Sequence, residues 1–171
     1  MDEQGLPQGF EAPTAEGDDT APTAGMISQY VKDLSFENPN APAIYQAQTA
    51  PGIDVQFNIS AVQVGEDVHE LTLKIEVRAE SEGKTAFIVD LSYAGLFGFR
   101  NVPVDQIQPF MLGEAPRLLF PFARRVLADA VRDGGFPPLM LEPIDFAQLY
   151  LQQAEAQAGT AQPNTPETGH A

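Results

Sequence analysis

Between Ile53 and Tyr93 the chain alternates apolar and polar residues three times over, with only a short turn between runs, and this pattern dictates an antiparallel sheet. In the middle run Leu71, Leu73, Ile75, Val77 and Ala79 alternate with Glu70, Thr72, Lys74, Glu76 and Arg78. Before it, Ile53, Val55, Phe57, Ile59 and Ala61 take one face and Asp54, Gln56, Asn58 and Ser60 the other; the alternation slips near Ala61-Val62, where a bulge is expected. After it, Phe87, Val89, Leu91 and Tyr93 oppose Ile88, Asp90 and Ser92. Gly65-Glu66-Asp67 and Ser81-Glu82-Gly83-Lys84 supply the hairpin turns. Because strand side chains have a period of two, the sheet has one apolar face and one polar, acidic face.

A fourth strand precedes this meander. Tyr30, Leu34 and Phe36 fall on one side and Val31, Asp33, Ser35 and Glu37 on the other, and Asn38-Pro39-Asn40-Ala41-Pro42 predicts an extended exit, since each proline fixes its own φ and biases its predecessor. Beyond Tyr93 the period changes. Ala94 to Phe99 reads as a glycine-punctuated aromatic loop, followed by a short helical stretch near Val104 to Leu112. Arg117 to Arg132 is a stronger helix, with Leu119, Phe122, Ala123, Val126, Leu127, Ala130 and Val131 as its apolar stripe. Pro121 must bend that helix or delay its regular part, and Gly134-Gly135 ends it. An extended Phe136 to Pro143 leads to a last helix, Ile144 to Gln153.

Residues 1–27 contain no base and few bulky apolar groups, and from Ala154 the chain turns to Ala, Gln, Gly, Thr and Pro. Such segments bury too little to offset the entropy of ordering. The expected organisation is an acidic disordered tail (1–27), one domain (28–153) and a second disordered tail (154–171). The start of the chain is also the opposite of a basic, then apolar, secretory signal.

The net charge of −15 is uneven: six acids precede Ser28 and two follow Gln153, leaving 16 acids against all nine bases between them. That field repels nucleic-acid phosphates and anionic lipid and attracts basic partners. No window approaches the roughly 18 uninterrupted apolar residues of a bilayer span. The absence of cysteine removes disulfides and thiolate metal sites. A soluble cytoplasmic protein, without stable membrane insertion, is expected.

Catalytic constellations are lacking. The two histidines, His69 in a strand and His170 in a tail, have no triad partners at suggestive spacing. Gly95-Leu96-Phe97-Gly98 lacks the lysine and helix opening of a phosphate loop. Asp33 and Glu37 lie roughly 13 Å apart along a strand, too far for one acid/base pair. As surface groups they read either as solvated charge or as a docking patch. The apolar sheet face, apolar helical faces and aromatic loop together exceed what one small core needs, which marks a protein contact.

Three stretches, in order, carry a resemblance: Lys32-Asp33-Leu34-Ser35-Phe36-Glu37-Asn38-Pro39-Asn40-Ala41-Pro42, Leu118-Leu119-Phe120-Pro121-Phe122-Ala123-Arg124, and Phe136-Pro137-Pro138-Leu139-Met140-Leu141-Glu142-Pro143-Ile144-Asp145-Phe146. Across about Gln29 to Gln153 the chain resembles the bacterial SecB protein-export chaperones. The resemblance implies an α+β fold, a four-stranded antiparallel sheet with helices packed on one face, assembling as a dimer of dimers, a homotetramer. It also implies an ATP-independent chaperone, with no enzyme activity, cofactor or metal of its own, that holds precursor proteins unfolded and delivers them to the export motor SecA.

Carried over by position, the resemblance implies SecA docking at Asp33, Glu37, Ile88 and Asp90, with the basic, zinc-bearing C-terminal segment of SecA as partner. Subunit association is implied at Val89, Leu91 and Tyr93. Unfolded preproteins are expected in grooves lined by Tyr45, by Leu96, Phe97 and Phe99, and by Phe110, Met111 and Leu112; Thr49 stands where some relatives have a large aromatic. Two other readings share the residues: a generic or toxin-antitoxin-associated SecB-like holdase without a SecA handoff, and a small-molecule enzyme or binding protein using an apolar pocket.

Overall fold

The computed structural model describes residues 20–159; the remainder of the expected tails, residues 1–19 and 160–171, lies outside them. Strands β1 (Thr23–Glu37), β2 (Gly52–Gly65), β3 (Val68–Ser81) and β4 (Lys84–Arg100) form one antiparallel sheet in the order β1-β4-β3-β2. The meander reads as expected. In its second hairpin Glu82 and Gly83 both have positive φ, 52° and 75°, the geometry whose twist matches the flanking strands.

Because β1 pairs with β4, the connection after Glu37 must cross the sheet end that carries the β3–β4 turn. Asn38 to Pro42 turns rather than running extended, and leads into a single 3-10 turn at Ala43–Gln46. Polar side chains hold this crossing in place of an extended exit. The Asn40 amide donates to the Thr85 carbonyl at 2.8 Å, the Gln48 N–H donates to Glu82 at 3.0 Å, and the Ser81 hydroxyl donates to the Thr49 carbonyl at 3.0 Å.

Strand β1 begins at Thr23, not at the domain start expected at residue 28, because Ala24, Gly25 and Met26 find partners in Phe99, Gly98 and Phe97. Pairing of the backbone, not side-chain burial, recruits this segment. Its partners exist because β4 runs on through Ala94 to Phe99, the stretch expected to be a loop. The glycines there mark close approaches rather than a turn. A Cβ on Gly95 would lie 2.9 Å from Leu119 Cδ2, and one on Gly98 would lie 3.2 Å from Ile27 Cδ1.

Register shifts correct two further expectations. Between Val31 and Asp33 the pairing skips Lys32, so Val31, Leu34 and Phe36 face the helices opposite Tyr93, Leu91 and Val89. Tyr30, opposite Ala94, joins Asp33, Ser35 and Glu37 on the outer face. One extra residue thus reverses the sides predicted for Tyr30 and Val31. In β2 the irregularity falls between Gln63 and Gly65, not at Ala61-Val62.

Helix α1 (Val104–Pro109), a π-helical turn (Phe110–Glu114) and α2 (Ala115–Asp133) form one helical passage where two separate helices were expected. The wider turn directly follows Pro109, which has no N–H to give the ladder. Helix α2 continues through Pro121. Helix α3 (Phe146–Gly159) extends past Gln153 and starts after Asp145, whose carboxylate accepts the Gln148 N–H at 3.0 Å as an N-cap.

The core lies between α2 and the inner faces of β3 and β4, where Leu71, Leu73, Ile75, Val89 and Leu91 meet Leu119, Ala123, Leu127 and Val131, all fully buried. Phe146 plugs one end, edge-on to both Phe57 and Phe120. Arg124 donates to the Leu141 carbonyl at 3.1 Å and lies 5.7 Å from the Phe120 ring centre, tying the extended Phe136–Pro143 segment to α2.

Candidate functional site

The helices cover one side of the sheet and leave the other open. On the open side Asp33 pairs with Ser92, Ser35 with Asp90, and Glu37 with Ile88. The four residues expected to dock SecA therefore form one patch across the adjacent strands β1 and β4. Asp33 and Glu37 are exposed, and Ile88 and Asp90 half-buried. The patch continues onto β3 and β2: Asp90 stands directly opposite Glu76, Ile88 opposite Arg78, and Arg78 opposite Asp54.

Like charges directly opposite in a sheet repel, so the Asp90 and Glu76 pair is unfavourable by itself. Lys74 offsets part of that repulsion with a 3.0 Å ion pair to Glu76. Its ammonium pKa is raised, first by the hydrogen bond and charge of Glu76, and then by the more distant Asp90 and Asp33. The fields of Asp33 and Asp90 thus meet at the Lys74 ammonium. A shallow depression of 210 Å³ lies among Asp54, Gln56, Glu76, Arg78, Ile88 and Asp90.

At the patch border the Tyr30 hydroxyl donates to Glu70, and Lys32 contacts the other Glu70 oxygen at 2.5 Å. The hydrogen bond to Glu70 is the main reason the Tyr30 pKa is pushed up to about 12. Lys32, then Tyr30, hold the Glu70 carboxyl below the usual carboxylate range. Sequence reading missed this cluster, since the bulge that turns Tyr30 outward leaves no mark in the alternation.

The residues expected to line client grooves do not form one surface. Phe97 and Phe99 are 0% and 5% exposed and make edge-on contacts with Phe110, and Met111 is buried with them. They are core groups within this chain rather than a mobile aromatic loop, because their strand lies under α1 and the π turn. Leu96 points the opposite way, opposite Glu70 on the open face. Among the hollows on the helix side, two with partly apolar walls are bordered by Tyr45 and by Met111. One, of 240 Å³, has Tyr45, Thr49, Pro51, Phe136 and Pro137 in its wall; the other, of 670 Å³, is bordered by Ala61, His69, Val104, Ile107, Met111 and Leu112.

Tyr45 is 49% exposed, with its ring tilted 5.4 Å from Phe136, and Phe136 in turn lies 4.9 Å from Phe87. Its hydroxyl donates to the Gly134 carbonyl at 2.8 Å, and Asn38 donates to the same carbonyl at 3.1 Å. The first hollow is therefore built where the crossing segment is bonded to the end of α2. Val89 and Leu91 are 0% exposed and Tyr93 nearly so, on the apolar face as expected but under this chain's own helices.

The described surface thus combines an acidic open sheet face with partly apolar hollows on the helix side. Among the described residues no group of His, Asp and Glu is arranged to hold a metal ion, and no helix is long and apolar enough to cross a membrane. Comparison with known proteins defines the class further. The family model described as preprotein translocase subunit SecB matches residues 17–157. A protein-export protein SecB of Sphingopyxis alaskensis is 65% identical over 143 residues, covering 84% of this chain and 83% of the relative. One of Zymomonas mobilis is 60% identical over 148 residues, covering 86% and 90%. The solved SecB-like chaperone of Mycobacterium tuberculosis, in complex with a ChAD peptide from an antitoxin, superposes with a TM-score of 0.61 at 16% identity, over 71% of this chain and 90% of that one. This last likeness is one of fold. The chain belongs to the SecB family of protein-export chaperones.

Proposed function

We propose that this chain acts in the cytoplasm as an ATP-independent holdase, which keeps unfolded precursor proteins competent for translocation and passes them to SecA. Asp33, Glu37, Ile88 and Asp90 are the docking residues, and the partner is the basic, zinc-bearing C-terminal segment of SecA. The observation that carries the reading is the convergence of these residues on one open sheet face, where Asp90 and Glu76 stand opposed. A cationic partner relieves that repulsion, which gives the docking an electrostatic driving force.

Client polypeptide is held on the helix side, over the hollows beside Tyr45 and beside Met111 and Leu112, by weak apolar contacts. Assembly as a dimer of dimers multiplies those contacts by avidity. The two functions then occupy opposite faces of one sheet, so a client-loaded chaperone keeps its docking face free. The export reading is preferred over a toxin-antitoxin role because the relatives of 60% identity and above carry protein-export names, whereas the antitoxin-bound neighbour shares only the fold.

The test is binding to purified SecA with and without its C-terminal zinc segment, at low and moderate salt, with Asp33→Lys in parallel. Salt-sensitive binding that needs both the segment and Asp33 is the expected result. Retention of an unfolded client with no SecA binding would replace the export role with a handoff to another partner.

A further inference from the structure

Across the open face the four strands line up their outward residues in rows. Asp33, Ser92, Lys74 and Asn58 form one row from β1 to β2, and Ser35, Asp90, Glu76 and Gln56 form the next. Glu37, Ile88, Arg78 and Asp54 form a third. In these rows β1 supplies two acids, β4 and β2 one each, and β3 two bases around one acid. Strand β3 is thus the one net positive strand beside the acids of β1 and β4.

Its two bases are held differently. Arg78 stands between Ile88 and Asp54, whereas the Lys74 ammonium is paired at 3.0 Å with Glu76, the acid directly opposite Asp90. From its backbone, Lys74 is a diagonal step of roughly 7–8 Å from Asp90 and two strand spacings, roughly 10 Å, from Asp33. Its side chain is 45% exposed, a point charge on a flexible four-carbon stem. A foreign cation that is to sit between Asp90 and Glu76 therefore meets an ammonium of the chain itself already bound to one of them.

We infer that Lys74 is a built-in competitor on the docking face: its ammonium holds the place that a cationic group of the partner takes over, and so limits the affinity of docking. Its action as a competitor rests on SecA docking at this face, as proposed above. A side chain that merely steadied Glu76 would, on removal, leave docking unchanged or weaker; removal of a competitor strengthens it.

Lys74→Met removes the charge and keeps an unbranched stem. In calorimetric titration of the full-length chain with purified SecA at low salt, it should tighten binding about three- to tenfold, and the gain should shrink at moderate salt. Lys84→Met removes the same charge at the β3–β4 turn, beyond the third row, and should leave the affinity within about twofold of wild type. Lys74→Arg should restore the wild-type value. The chain has three lysines, Lys32, Lys74 and Lys84, so isotope-labelled dimethylation of their amines, which keeps the charge, gives signals that the two methionine variants assign. On saturation with SecA the Lys74 signal should move toward that of Lys84, which stays in place. If SecA binds wild type, the docking stands, and the inference alone is overturned by any of these results: equal or weaker binding by Lys74→Met, a gain matched by Lys84→Met or kept by Lys74→Arg, or an unmoved Lys74 signal. No binding by wild type or any variant overturns the docking and the inference with it.

Discussion

The Tyr30 hydroxyl of β1 donates to the Glu70 carboxylate of β3, reaching over β4, the strand that separates them. An edge strand is thereby fastened to a strand with which it shares no ladder, at the place where the Lys32 bulge interrupts its own pairing.

Tyr30→Phe should cost about 1 kcal/mol, the usual net worth of such a bond. The tie needs a protonated phenol and an ionised carboxylate. Tyr30 has a raised pKa, so its contribution is complete below pH 10 and is lost as pH rises through about 12. Glu70 has a lowered one, so its contribution is present above the ordinary glutamate range and is lost as pH falls below it. Urea denaturation of both proteins across pH should show the difference near neutrality and its disappearance in acid. Spectrophotometric titration of the variant should lack the component near pH 12.

A Cβ on Gly134 would stand 2.1 Å from Phe36 Cζ, at the end of α2 where Tyr45 and Asn38 bond the carbonyl. Gly134→Ala should destabilise the fold by about 1–3 kcal/mol through overpacking, and Phe36→Leu in the same chain should recover part of that. Gly159→Ala, with open space around it, is the control and should leave the melting temperature unchanged.

Leu91→Ala should lower stability by about 2–5 kcal/mol, since the side chain is wholly buried beneath the helices. If association depends on Leu91 through this core, the loss will appear in denaturation of the chain at low concentration as well as in subunit exchange. A variant that changes only the oligomeric state, with an unaltered unfolding midpoint, would contradict that route.

Lysine at Asp33 or Asp90 should weaken SecA binding at least tenfold at low salt and leave capture of an unfolded client unchanged, because the docking and client surfaces proposed above lie on opposite faces. Lysine at Asp90 should also remove the repulsion with Glu76 and so leave stability equal or higher. Parallel calorimetric titrations and thermal melts check both statements.

The meander was legible because period-two alternation specifies both the strand and the side each residue faces. The shared face of Asp33, Glu37, Ile88 and Asp90 followed from it, since Ile88 and Asp90 belong to that pattern and Asp33 and Glu37 lie past the bulge, whereas a docking role for them was implied by the family resemblance alone. The continuation of β4 was not legible: Gly95 and Gly98 resemble turn residues unless one knows that Leu119 and Ile27 press on them. Nor was the burial of Phe97 and Phe99, which depends on a helix that arrives later in the chain. The start of β1 at Thr23 was hidden for the same reason, because its small residues are ordered by a partner strand and not by their own apolarity.

The extra residue at Lys32 makes the surface of β1 a matter of parity. Everything from Asp33 onward keeps its side by pairing with β4, while Ser28 to Val31 are counted off by one, until a second shift at Ile27 restores the parity of Met26 and the residues before it. Deleting a single residue there would send Tyr30 inward and Val31 outward without moving Asp33 or Glu37. The strand therefore consists of three separately set segments, and the Tyr30 contact with Glu70 is what makes the setting of the middle one worth keeping.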